Sequence, residues 1–211
     1  NLIVGKMSEK VNVDNLINLY KSTLLNDVVP FWLKHSLDHE YGGYLHFLDR
    51  DGSVYSTDKG MWIQCREAWL FSKLYNTVEK RKEWLNAARL GYEFITKHGF
   101  DSDGRMFFEL TREGKPLRKR RYLFAECFGV MAFAEYYKAT GKEEALQRAK
   151  ETYKLVVRLY KNPDASTPPK IFPQTRAMKS LAMQFMLICI SQEIRKVDSD
   201  PLYEEVINDA L

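Results

Sequence analysis

From residue 14 to 34 apolar side chains recur at three- and four-residue steps (Leu16, Leu19, Tyr20, Leu24, Val28, Phe31), the spacing of one face of an α-helix. Asp14 is placed to cap its start, and Pro30 to kink it or end it nearby. The pattern then changes. Gly42-Gly43 leads into Tyr44–Leu48, and Asp49-Arg50-Asp51-Gly52 turns the chain into Ser53–Tyr55, a hairpin signal. Helical spacing returns over Met61–Val78 and Glu83–His98. A second hairpin follows, Arg105–Leu110 and Lys115–Leu117 about the turn Thr111–Gly114. Helices are predicted over Tyr122–Ala139 and Glu143–Tyr160, parted by Thr140-Gly141-Lys142 as a stop and restart. A Pro-rich loop, Asn162–Pro173, precedes a helix over Thr175–Arg195, and Pro201 opens a last one.

The two blocks of hairpin and helices are copies. Shifting the chain by about sixty-two residues lays Tyr44–Gly52 on Met106–Gly114, Trp62–Arg66 on Phe124–Phe128 and Leu74-Tyr75 on Tyr136-Tyr137. The unit is a hairpin, an inner helix and an outer helix, and such a pair buries its apolar face only by stacking on neighbours. In the third copy the Pro-rich loop replaces the hairpin. Because each hairpin precedes the inner helix, the hairpins gather on one rim of an all-α, cup-shaped (α/α) toroid. Residues 1–10 are set aside as a leader. Residues 11–211 then hold about three units, roughly the N-terminal half of a six-unit ring, as one incomplete domain.

Composition narrows the classes. The 211 residues are 45% hydrophobic and 28% charged, with 11 Gly and 7 Pro, as in a soluble globular chain. No apolar run is long enough to span a membrane, and no leader signals secretion. A net charge of +4, mostly dispersed, argues against a nucleic-acid partner. Cys65, Cys127 and Cys189 have apolar neighbours and read as buried, reduced thiols of a cytoplasmic protein. No sequence pattern for a metal, a Rossmann cofactor, a P-loop or a serine nucleophile appears. Aromatic residues reach 13%, a level suited to walls that stack on sugar faces.

Polar groups on the inner helices carry the candidate chemistry. Trp62, Arg66, Trp69 and Lys73 share one stripe. Glu126 shares a stripe with Tyr122, Val130 and Phe133 on the equivalent helix, and is read as facing Arg66, the two able to satisfy each other. Both are also readable as paired core charges. Lys115–Arg121 is the one dense basic run, either a solvated loop or an anion site. His35, His39, His46 and His98 read as surface or capping residues. An open half-ring exposes inner-helix aromatics such as Trp62, Trp69 and Phe133, which favours self-association.

Three stretches carry a family resemblance: Phe31-Trp-x-x-His-Ser-x-Asp-x-Glu-Tyr-Gly-Gly43, Lys59-Gly-Met-Trp-Ile-Gln-Cys-Arg-Glu-Ala-Trp69, and Arg121-Tyr-Leu-Phe-Ala-Glu-Cys-Phe128. Together they resemble the N-acylglucosamine 2-epimerase family, from about Val28 to Ile194. The WxQxRxxW pattern favours that branch over the cellobiose 2-epimerases. The resemblance implies an (α/α)6 barrel that interconverts N-acetylglucosamine and N-acetylmannosamine. Ring opening is followed by proton removal and return at C2 by two histidines. It implies no required cofactor or metal, ATP as an allosteric activator, and a homodimer at full length. It makes Arg66 the substrate-contacting arginine that stabilises the enolate-like oxygen at C1. Trp62, Trp69, Glu126, Met178, Lys179 and Met183 become pocket residues, and Lys115, Arg118, Lys119 and Arg120 a nucleotide-phosphate loop. The catalytic histidines belong to the second half of the barrel, so this chain alone is expected to be inactive. Two other readings remain: a toroid glycoside hydrolase or lyase, and a non-catalytic sugar- or partner-binding module of the renin-binding kind.

Overall fold

The first helix is capped two residues earlier than its sequence pattern predicts. Asn12, not Asp14, is the cap: its side chain accepts from Asn15 N at 3.1 Å. In the computed structural model, which describes residues 12–119, 122–169, 171–178 and 180–211, helix α1 runs Val13–Thr23 and α2 Val29–His35. Pro30 does not end this helix. A π turn over Leu24–Val28 joins the two parts, with Val29 N–H reaching back to Leu24 O. The widened turn absorbs the proline, which has no N–H to give, and the helix continues for five residues beyond it, to His35.

Inner helices α3 (Met61–Thr77) and α5 (Phe124–Thr140) are each followed by an outer helix, α4 (Lys82–His98) and α6 (Glu143–Lys161). Helix α3 packs on α4 and α5, α5 on α6 and α7, and α7 (Ala182–Ile194) on α8 (Leu202–Ala210). Gly141, left-handed at φ 69°, closes α5 and restarts the chain into α6. Predicted helix Thr175–Arg195 is shorter than its pattern. Thr175 N and Arg176 N both turn back to Phe172 O, and the helix begins only after Ser180, whose hydroxyl accepts from Ala182 N.

The repeat is visible atom by atom. Asp49 N bonds Ser53 O and Thr111 N bonds Lys115 O, both at 2.8 Å; Gly52 N bonds Asp49 O and Gly114 N bonds Thr111 O. Both turn glycines have positive φ, 86° and 91°. Each is seated on a histidine of the preceding outer helix, Gly52 on His35 and Gly114 on His98, where any Cβ would overlap the imidazole. Each histidine in turn leans on a phenylalanine one helical turn before it, Phe31 at 5.0 Å and Phe94 at 5.1 Å. The helix Val13–His35 is therefore an outer helix by its contacts, standing where α4 stands in the next unit.

The hairpins are β1 (Phe47–Leu48) with β2 (Val54–Ser56), and β4 (Glu109–Leu110) with β5 (Pro116–Arg118). A strand absent from the sequence reading, β3 (Lys59–Gly60), pairs antiparallel with β4, so the second hairpin is locked to the start of α3. Met61 N adds a further bond to Phe108 O at 2.9 Å.

The core lies between inner and outer helices, with Met61, Cys65, Ala68 and Phe71 of α3 against Trp84, Ala88 and Ile95 of α4. Phe133, expected on the open face, is fully buried and stacks on Phe100. Cys65 and Cys127 are buried thiols as expected, whereas Cys189 is exposed on α7. Tyr44 is buried over α4 and donates to Ala87 O at 2.8 Å. This position requires Gly91, because a methyl group there would overlap the phenol ring. Gly91→Ala is expected to destabilise the chain by about 2–4 kcal/mol through overpacking and loss of the Tyr44 hydrogen bond, read as a lower midpoint in denaturant unfolding.

Candidate functional site

One stripe of α3 is left uncovered by its outer helix. It carries Trp62, Arg66, Trp69 and Lys73, as the four- and three-residue spacing predicted. Arg66 is exposed, with its guanidinium 5.5 Å from the centre of the Phe128 ring. Trp62 stands among three phenylalanines: Phe108 at 5.5 Å and Phe128 at 6.0 Å edge-on, and Phe124 at 5.5 Å tilted. Tyr122 stacks on Phe124, and Arg118 lies 5.6 Å from the Phe108 ring. The result is a continuous aromatic wall with a cation at each side, suited to stack the C–H face of a sugar ring and to hydrogen-bond its oxygens. Phe108, Phe124 and Phe128 were not among the sequence candidates. The register of the repeat is the signal that finds two of them, since Phe124 falls on Trp62 and Phe128 on Arg66.

Deeper along α3, Lys73 reaches Glu135 at 3.3 Å and lies 5.9 Å from the Trp69 ring. Trp69 and Arg66 also border a groove of about 330 Å³ against Val28 and Trp32 of the first helix. Glu67 forms part of its floor, accepting from the Ser36 hydroxyl. Burial pushes its carboxyl up to about 8, with the Ser36 bond opposing only in part. Trp69 Nε1 is buried and without a hydrogen-bond partner among the described residues.

Glu126 does not face Arg66. It is fully buried on the opposite side of α5, with Oε1 accepting from Arg105 Nε at 2.6 Å and Met106 N at 3.0 Å. Arg105, also buried, holds Ser166 O and Tyr122 O with its other nitrogens. In the first unit Gln64, which aligns with Glu126, plays the same part by bonding Tyr44 N and Tyr44 O at 2.9 and 2.7 Å. Position 126 thus pins a hairpin to an inner helix. The pairing with Arg66 fails because two residues of helix separate the Gln64 and Arg66 registers, about 200° of rotation.

Met178 lies in the loop before α7, exposed, and not on an inner helix. Met183 is half-buried in the first turn of α7 and packs on the core. Lys179 and Arg120 lie outside the described residues. Of the basic loop, Lys115 and Arg118 are exposed, and Arg118 approaches Glu109 at 3.4 Å. Lys119 is already engaged, 2.7 Å from both Asp101 and Asp103. His46 is neither a surface residue nor a cap. Its ring lies against Gly60 and Phe47, with Nδ1 buried and without a hydrogen-bond partner among the described residues, and burial lowers it to about 4, so it is neutral at pH 7. His35 and His98 are the hairpin supports described above, and His39 is exposed.

The profile of the N-acylglucosamine 2-epimerase family matches residues 42–194 of this chain. The chain belongs to that family. It is 34% identical to the N-acylglucosamine 2-epimerase of Bos taurus over 180 residues, 83% of this chain and 43% of that protein. To the cellobiose 2-epimerase of Dictyoglomus turgidum it is 35% identical over 142 residues, 66% of this chain and 36% of that one. The solved cellobiose 2-epimerase from Bacillus thermoamylovorans superposes with a TM-score of 0.82 at 25% identity, over 93% of this chain and 54% of its own. The chain thus spans less than half the length of the curated relatives it matches, and its helix pairs are those of an (α/α)6 barrel. Among the described residues no helix is long and apolar enough to cross a membrane, and no cluster of His, Cys, Asp or Glu is arranged to hold a metal.

Proposed function

We propose that the whole protein is a sugar 2-epimerase acting on N-acylhexosamines, and that this chain supplies one wall of its pocket. The observation that carries the reading is Arg66, exposed beside Phe128 and Trp62 on the uncovered stripe of α3. The rings of the wall can hold a sugar by its face, and a guanidinium beside them can meet the negative charge that grows on a carbonyl oxygen when the neighbouring C–H is deprotonated. The family match over most of the chain supports the reaction class, and the longer alignment to the N-acylglucosamine relatives supports the N-acyl substrate over a disaccharide. Epimerisation moves a proton from one face of C2 to the other, which calls for a base on each side or one that swings. Arg66 and the aromatic rings around it are not bases of that kind. ATP as an effector rests on Lys115 and Arg118, the exposed cations of the second hairpin. Self-association rests on the exposed Val13, Ile17, Leu19 and Tyr20 of α1.

Titration calorimetry with N-acetylmannosamine tests the site. Arg66→Ala is expected to weaken binding about ten- to hundredfold, as for loss of a charge-assisted hydrogen bond. Affinity indifferent to Arg66 would remove the assignment. Residues 1–211 alone should bind sugar without epimerising it, and formation of N-acetylmannosamine from N-acetylglucosamine by this segment would overturn that expectation.

A further inference from the structure

Two of the three stretches that mark the family, the second of which carries Trp62 and Arg66 of the wall, meet at one place away from it. Lys59, which opens the second stretch, is fully buried. Its ammonium donates to Asp38 Oδ2 at 2.8 Å, to Gly42 O at 2.6 Å and to Arg112 O at 2.8 Å, and it lies 4.4 Å from the centre of the Phe94 ring. Asp38 and Gly42 come from the first stretch. Arg112, from the turn of the second hairpin, closes the cluster by donating to both oxygens of Asp38 at 3.0 Å and pairing with Glu40 at 3.1 Å. Two acids and two cations balance, and Asp38 is held ionised, its carboxyl down at about 2 against the cost of burial, by the hydrogen bonds from Arg112 and Lys59.

The repeat does not require this burial. In the second unit the corresponding aspartate, Asp101, meets Lys119 at the surface. An ion pair buried as Lys59 and Asp38 are is a poor source of net stability, since desolvation offsets most of the attraction, but it tolerates only one geometry. That geometry leads to the wall. Lys59 and Gly60 pair with Leu110 and Glu109, the next residue Met61 bonds Phe108 O, and Phe108 N bonds Arg118 O at 2.8 Å. The Phe108 ring is thereby held against Trp62, four residues from Arg66 on the same stripe.

We infer that Lys59, with Asp38 and Arg112, is a positioning cluster that fixes the second hairpin so that Phe108 completes the sugar-facing wall beside Trp62. The inference rests on the sugar-site reading, and its test separates the two. Amide exchange at Met61 and Phe108 and the affinity for N-acetylmannosamine are measured in the whole protein for Lys59→Met, Arg112→Ala and Arg66→Ala. Arg112 is partly exposed, so its variant is expected to fold even where Lys59→Met does not. Both cluster variants should lose protection at Met61 and Phe108 and bind sugar about tenfold or more weakly, as sub-ångström misplacement of a binding wall does. Arg66→Ala should lose affinity with protection unchanged. Arg112→Ala with full protection, or with lost protection and undiminished affinity, would overturn the inference. A wild-type protein that binds no sugar would overturn the reading of the site and this role for the cluster with it. Affinity lost in the two cluster variants but retained in Arg66→Ala would overturn the Arg66 assignment and leave the cluster's role supported.

Discussion

Glu67→Gln is expected to stabilise the chain by several kcal/mol at pH 9 and to change little at pH 4. The Glu67 carboxyl sits at about 8 in the folded chain against an ordinary 4.5, because burial beneath the groove disfavours its charged form. A carboxyl that binds its proton more tightly when folded costs nothing below its unfolded value. Between about 4.5 and 8 the folded state holds a proton that the unfolded state has released, so wild-type stability falls as pH rises, and above 8 the full cost is present. At about 1.4 kcal/mol per tenfold in proton affinity the gap amounts to at most roughly 5 kcal/mol. Glutamine keeps an oxygen for the Ser36 hydroxyl and has no proton to lose. Urea unfolding at several pH values checks this: the two proteins should diverge steadily from pH 5 to 8, and parallel stability curves would show that Glu67 ionises freely.

Removing Arg105 should cost about 3–5 kcal/mol, because it strands the Glu126 carboxylate in the core. The informative comparison is the double variant. Gln64 makes the hairpin bond of the first unit with a neutral amide and Gly43 in place of a cation. Arg105→Met with Glu126→Gln should therefore recover a good part of the loss, with a coupling of about 1–3 kcal/mol between the sites. Chemical denaturation of the singles and the double measures it. Strict additivity would mean that Arg105 acts chiefly through Ser166 and Tyr122, by holding the Pro-rich loop onto the barrel.

How much of this was legible in the sequence depends on the kind of signal. The repeat, the two hairpins and the stripe Trp62–Arg66–Trp69 follow from spacing, and the structure keeps all of them. Glu126 was misread because a charge was matched with a charge. The register that places Cys127 on Cys65 also places Glu126 on Gln64, on the buried side of its helix. The helix predicted from Thr175 began too early because apolar spacing over Met178 and Leu181 continues through residues that the Phe172 turn holds out of helix. Lys59 opens a stretch that marks the family, but nothing in its spacing signalled that it is buried. A lysine two residues before an amphipathic helix reads as solvated, and only the three oxygens that converge on it, from residues up to 53 positions away, make its burial possible.

The turn glycines seated on histidines give the molecule a roof-tile construction. Gly52 rests on His35 and Gly114 on His98, so each hairpin, pinned at its base to its own inner helix, also overlaps the helix laid down before it. A tile cannot be lifted without disturbing the row beneath. Loss of order in one unit should therefore spread to the rim of the next, so the units should melt together rather than one by one, and any tilt of an outer helix would be carried forward to the lip of the cup.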